Sequence, residues 1–116
     1  MAIVVTALGT AQNKTGGAIL SSLTWADGDI LIVVIAADTA ATLLSQCQWS
    51  VPGHLLNSFD AIDVTINNNG SVSVAVFRAI TTGYLASGNG TIESAYGAVA
   101  QCLAAYKVTG LAATPF

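Results

Sequence analysis

The sequence predicts an all-β chain: an antiparallel β-sandwich, jelly-roll-like, with seven to eight strands in a single domain over residues 1–116. Short runs rich in Val, Ile, Ala and Thr recur along the chain, separated by Gly, Asn and Asp turn chemistry at spacings typical of sandwiches and jelly rolls. Sustained helical periodicity is missing. A chain of 116 residues buries one core and has no material for a second.

Ile3 to Leu8 is a β-branched opening strand, closed by a polar, Gly-rich stretch from Gly9 to Gly17 that reads as a loop. Ile19, Leu23 and Trp25 then share one parity against Leu20, Ser22 and Thr24, giving a half-buried strand with Trp25 in the core. Ala26-Asp27-Gly28-Asp29 is a tight turn. The uninterrupted apolar run Ile30 to Ala37 predicts the central strand, covered on both faces. A helical turn is expected over Ala40 to Leu44, and a short strand over Gln46 to Val51, ended by Pro52-Gly53. Ile62, Val64 and Ile66 alternate with Asp63 and Thr65 up to Asn69-Gly70, the strongest hairpin signal of the chain. The hairpin's second strand is Ser71 to Ile80, with Val72, Val74 and Val76 on one face. A loop through Gly83, Gly88, Asn89 and Gly90 leads to a strand at Thr91 to Ala95. The last strand, Ala98 to Thr109, places Ala100, Cys102, Ala104, Tyr106 and Val108 on one side, which predicts that Cys102 points inward.

Composition narrows the function. Charged residues make up 8% of the chain and hydrophobic ones 53%, whereas solvated surfaces hold about a quarter to a third charged residues. The surface is therefore expected to be covered in use. Lys14, Arg78 and Lys107, the only Lys and Arg residues, lie far apart in a chain of net charge −3, so no basic stripe exists for nucleic acid. The longest apolar run is less than half the roughly 20 residues of a membrane-spanning helix. The start Met1-Ala2-Ile3-Val4 has no basic region ahead of its apolar residues, so no secretory signal is expected. Cys47 and Cys102 are expected as reduced thiols, because Trp49 lies only two positions from Cys47, unlike the immunoglobulin arrangement.

The residues of acid-base and metal chemistry are sparse. His54 is the only imidazole, too little for a nucleophile–base pair. Asp27 with Asp29, and Asp60 with Asp63, are close in sequence, but a glycosidase pair needs an opposed cleft about 5 to 10 Å wide and a calcium site about six to eight oxygens. Asp27 and Asp29 are read as turn residues. Gly16-Gly17 and Gly88-Asn89-Gly90 lack the Gly-Lys-Ser/Thr of a phosphate loop, and the sequons at Asn13, Asn69 and Asn89 read mainly as turn chemistry. No catalytic activity, metal or cofactor is expected. Trp49, Phe59 and Tyr84 lie near loops and form the candidate exposed aromatic set, with Phe116 at the end of the chain.

Three segments in order carry a family likeness: Trp25-Ala26-Asp27-Gly28-Asp29-Ile30-Leu31-Ile32-Val33-Val34, Ser73-Val74-Ala75-Val76-Phe77-Arg78-Ala79, and Ala104-Ala105-Tyr106-Lys107-Val108-Thr109-Gly110-Leu111. Over about residues 17 to 111, they resemble a β-sandwich module of tailed-phage virion proteins, including capsid decoration or cement proteins. The resemblance implies a structural subunit of a bacteriophage virion, assembled in the host cytoplasm and packed on the capsid surface. It would act as a homo-oligomer, a trimer favoured, against a major capsid protein, with Trp49, Phe59, Tyr84 and Phe116 at the interface. Two alternatives stay open: a carbohydrate-binding or adhesin module, which needs Trp49, Phe59 or Tyr84 exposed together, and a filament subunit completed by strand exchange.

Overall fold

The computed structural model describes residues 3–38, 47–51, 57–58, 60–66, 72–94 and 99–110. Nine strands lie within them: β1 (Val4–Asn13), β2 (Ile19–Trp25), β3 (Ile30–Ala37), β4 (Cys47–Ser50), β5 (Asn57–Ser58), β6 (Asp60–Ile66), β7 (Ser73–Ile80), β8 (Ala86–Ser94) and β9 (Gln101–Thr109). The strand beyond the expected eight is β5, two residues paired beside β4.

The strands form a five-stranded sheet, β1-β9-β3-β7-β6, and a four-stranded sheet, β2-β8-β4-β5. Every neighbouring pair is antiparallel. The chain passes from one sheet to the other between β1 and β2, β2 and β3, β3 and β4, β5 and β6, β7 and β8, and β8 and β9. That repeated crossing, with β9 inserted between β1 and β3 and β8 beside β2, is the jelly-roll wrapping expected from the strand spacing.

One turn and one strand pairing follow the sequence closely. Gly28 takes φ 88°, the Asp29 amide donates to the Ala26 carbonyl at 3.1 Å, and the Ala26 amide donates to Asp29 Oδ2 at 2.9 Å. Asp27 Oδ1 accepts from the Gly83 amide, which ties this turn to the one after β7. Both aspartates thus do the turn work assigned to them. The β6–β7 hairpin forms with Ile66 opposite Ser73. The expected helical turn at 40–44, His54, Phe59, Tyr96, Phe116 and the Asn69-Gly70 turn lie outside the described residues.

Other expectations are corrected. The first strand does not stop at Leu8: Gly9, at φ 141°, forms a bulge between Ala7 and Gly9 that lets β1 continue to Asn13. Gly88, Asn89 and Gly90 are not a loop but part of β8, with Gly88 at φ 77°. Ile19 does not share the buried side of Leu23 and Trp25, because the β2–β8 register shifts at Leu20/Leu23 and again at Leu23/Thr24. Strand β3 is central, as expected, but its faces differ. Leu31, Val33, Ile35 and Ala37 are buried between the sheets, whereas Ile32, Val34 and Ala36 are half-buried on the outer face.

The register with β3 fixes the faces of its neighbours. Val33 stands opposite Phe77 and Ala105, and Ile35 opposite Ala75 and Leu103, so these residues fill the core with Val33 and Ile35. Cys102 consequently points outward and is exposed, and Val74 and Val76 lie outside with it. Val74 and Val76 share a face as expected, whereas β9 carries the opposite parity from that expected. One residue of register exchanges the two faces of a strand, and here both faces are apolar.

Candidate functional site

The outer face of the five-stranded sheet carries a trough. Ala100, just before β9, and the outward residues Cys102 and Ala104 along it are small, so together with Ala36 of β3 they form a floor. Thr10 and Gln12 of β1 stand on one side, Gln12 directly opposite Cys102 and Thr10 opposite Ala104. Val34 of β3 stands on the other, opposite Ala104, and Ala36 lies opposite Cys102. Two connected hollows occupy this furrow. One, of about 750 Å³, reaches Asn13, Lys14, Asp38, Val72 and Gln101; the other, of about 590 Å³, extends towards Thr10, Val34 and Ala104. They share Gln12, Ala36 and Cys102.

Apart from Thr10, the polar side chains that line the trough border the larger hollow. Asn13 is committed locally: its Nδ2 donates to the Gly17 carbonyl at 3.1 Å and its Oδ1 accepts from the Thr15 amide at 3.0 Å. Gln101 is buried, with Nε2 directed to the Val99 carbonyl at 3.4 Å. Gln12, Lys14 and Asp38 are exposed to solvent and offer an amide, an ammonium and a carboxylate within one short stretch of the rim. The floor offers none. Tyr106, half-buried, is the next outward residue along β9 and the one described aromatic side chain on this face. Such a surface can hold an elongated, weakly polar ligand by contact along the floor and hydrogen bonds at the end.

The aromatic set expected from sequence lies elsewhere. Trp49 is a correction: it is 3% exposed, because β4 alternates with Cys47, Trp49 and Val51 inward. Its ring packs edge-on against Trp25, with centroids 6.0 Å apart, and against Tyr84 at 5.3 Å. Tyr84 is half-buried against the same cluster, and its carbonyl accepts from Trp25 Nε1 at 2.7 Å. Trp49 and Tyr84 therefore belong to one end of the core. They are not brought together on an open platform, and Phe59 and Phe116 are outside the described residues.

The two thiols are free and differ in setting. Burial pushes the Cys47 thiol far above its ordinary range, with the Glu93 carboxylate adding to the shift against a smaller opposing backbone hydrogen bond at Gln48. Cys102 lies on the trough floor. Among the described residues no group of three or more His, Cys, Asp or Glu side chains is placed to hold a metal ion, and no helix is long and apolar enough to cross a membrane.

The trough residues Gln12, Lys14, Asp38 and Cys102 were absent from the sequence-based candidates. The signal was present as the small residues Ala100, Cys102 and Ala104 at alternate positions, but the same pattern suits a core-facing strand.

No protein-family model matches the sequence, and no curated protein aligns with it significantly. Among solved structures, the lipase BlEst2 of Bacillus licheniformis in its propeptide form is similar over 91% of this chain and 21% of that one, at 12% identity and a TM-score of 0.51. The chain thus spans about a fifth of the lipase, and the likeness is one of fold. The carbohydrate-binding module CBM6cm-2 from Cellvibrio mixtus lichenase 5A, solved with cellotriose, is similar over 97% of this chain and 100% of that one, at 10% identity and a TM-score of 0.42. The N-terminal cellulose-binding domain of Cellulomonas fimi β-1,4-glucanase C is similar over 90% of this chain and 86% of that one, at 13% identity and a TM-score of 0.41.

Proposed function

We propose that the protein is a non-catalytic carbohydrate-binding module that holds a neutral glycan chain in the trough of the five-stranded sheet. The observation that carries this reading is the trough itself: about 750 Å³ in its larger part, with a floor of Ala36, Ala100 and Cys102 and a rim of Gln12, Lys14 and Asp38. Sugar rings present apolar C–H faces and hydroxyls. The floor suits the first, and the amide, ammonium and carboxylate of the rim suit the second. The site is open and offers few hydrogen bonds, so the expected affinity is weak, about −4 to −6 kcal/mol, which is millimolar to tens of micromolar. This reading does without the joint exposure of Trp49, Phe59 or Tyr84 that the carbohydrate-binding alternative called for, since Trp49 is in the core.

The test is a screen of soluble neutral oligosaccharides by calorimetry, repeated on Cys102→Trp. That substitution fills the furrow from an exposed position without entering the core. A ligand bound by the parent and lost in the variant supports the reading. A ligand bound equally by both would move the site elsewhere.

A second reading, a virion structural subunit of the capsid decoration or cement type, is favoured by the exposed apolar residues Ile3, Val4, Val5, Ile19 and Leu85. Such residues suit a surface buried against a capsid lattice. Stoichiometric recovery of many copies from purified particles would support it over the first.

A further inference from the structure

We infer that two copies of this chain pair through their β1 strands, antiparallel about a two-fold axis, to make one continuous sheet of both five-stranded sheets. The observation is a contrast among the sheet edges. Among the described residues, strand β1 pairs only with β9 and forms an edge of its sheet, presenting backbone groups that only another extended chain can satisfy in series.

The other edges carry features that oppose such pairing. Strand β6 holds Asp60 and Asp63 and an irregularity between Ala61 and Asp63. Strand β2 is broken by two register shifts and by Ser22 at φ 60°, and β5 has two residues. From Ile3 to Asn13, by contrast, β1 contains no charged residue and no proline. Ile3, Val4 and Val5 are 61%, 50% and 63% exposed, and β1 is regular up to the bulge after Ala7.

The chemistry of the edge selects a second copy. All six acidic residues, Asp27, Asp29, Asp38, Asp60, Asp63 and Glu93, lie outside it, so two chains of charge −3 meet there without bringing like charges together. An antiparallel partner with the same short apolar sequence is self-complementary, and a two-fold contact closes at two copies. The axis stands normal to the sheet, so both outer faces open to the same side. Self-pairing does not depend on what the trough binds; if the proposed glycan reading holds, the dimer presents two troughs to one surface and gains avidity.

Sedimentation equilibrium on the full chain tests this. The expected result is a mass of twice 11.7 kDa that falls towards the monomer on dilution, and loss of the dimer in Val5→Lys with an unchanged circular dichroism spectrum. A wild-type monomer at all concentrations, a trimer, or a Val5→Lys variant that still dimerises would overturn the inference. Hydrogen exchange on the unmodified chain provides a readout free of any folding defect. Amides of Val4 to Ala7 are expected to exchange more slowly at high than at low concentration, and equal exchange would overturn the inference as well.

Discussion

Trp25 of β2 and Trp49 of β4 meet edge to face, ring centroids 6.0 Å apart and planes at 80°, across the strand β8 that separates them in the four-stranded sheet. The intervening strand admits this contact because it carries Gly90 beneath the Trp25 ring. A Cβ at that position would come within 2.5 Å of two Trp25 ring carbons. Gly90→Ala should therefore force the indole from its site and destabilise the fold by about 1–3 kcal/mol. Chemical denaturation monitored by tryptophan fluorescence measures both the loss and the changed environment.

Trp49 fills core space, so its removal should be felt as a cavity. Trp49→Ala is expected to cost about 3–5 kcal/mol, and Trp49→Phe, which keeps a ring against Trp25 and Tyr84, about 1–2 kcal/mol. An alanine variant as stable as the parent would place this ring on the surface after all.

Strand β3 supplies a paired test of its two faces. Val33 is fully buried between the sheets, whereas Val34 is half-buried outside. Val33→Asp should place an unpaired charge in the core at a cost of several kcal/mol, enough to unfold a domain of ordinary stability. Val34→Asp should leave a folded protein, because its carboxylate reaches water over the trough. Circular dichroism and thermal melting of the two variants separate the faces.

The legibility of the fold follows from the same residues. Turn chemistry is local, so Asp27-Gly28-Asp29 and the β6–β7 hairpin could be read directly. Central placement of β3 followed from its apolar run. The facing of β7 and β9 could not be read from their own sequences, since Val72, Val74 and Val76 compete with Ala75, Phe77 and Ala79, and Cys102 and Ala104 with Leu103 and Ala105. An apolar outer face removes the contrast by which alternation reports burial. Only pairing with Val33 and Ile35 settles it. The trough was hidden for that reason, and Trp49 was misplaced because nearness to a loop in sequence says nothing about which way a strand residue points.

The two thiols should differ sharply in reactivity. Cys102 is exposed and Cys47 is buried, its thiol held protonated by desolvation. Native alkylation is expected to modify Cys102 alone, and Cys47 only after denaturation. Raising the pH through the usual thiol range should not open Cys47, since the upward shift keeps it neutral there. Intact-mass measurement with and without denaturant decides this, and an equal rate at both sites would contradict the burial of β4.

Gln12 and Asp38 stand on the rim of the trough, whereas Thr82 is exposed in the turn after β7. Gln12→Ala should weaken glycan binding about tenfold or less, the loss of a single hydrogen bond of about 0.5–1.5 kcal/mol. Thr82→Ala should leave it unchanged. Calorimetry on the two variants compares them at equal stability.

The most direct test of the central claim is a two-dimensional amide spectrum of the labelled protein, titrated with soluble neutral oligosaccharides. Binding in the trough predicts saturable shifts confined to Thr10 to Lys14, Val34 to Asp38 and Ala100 to Ala104, with the amides around Trp25 and Trp49 unmoved. Shifts centred on any other face, or an unchanged spectrum across the whole panel, would contradict it.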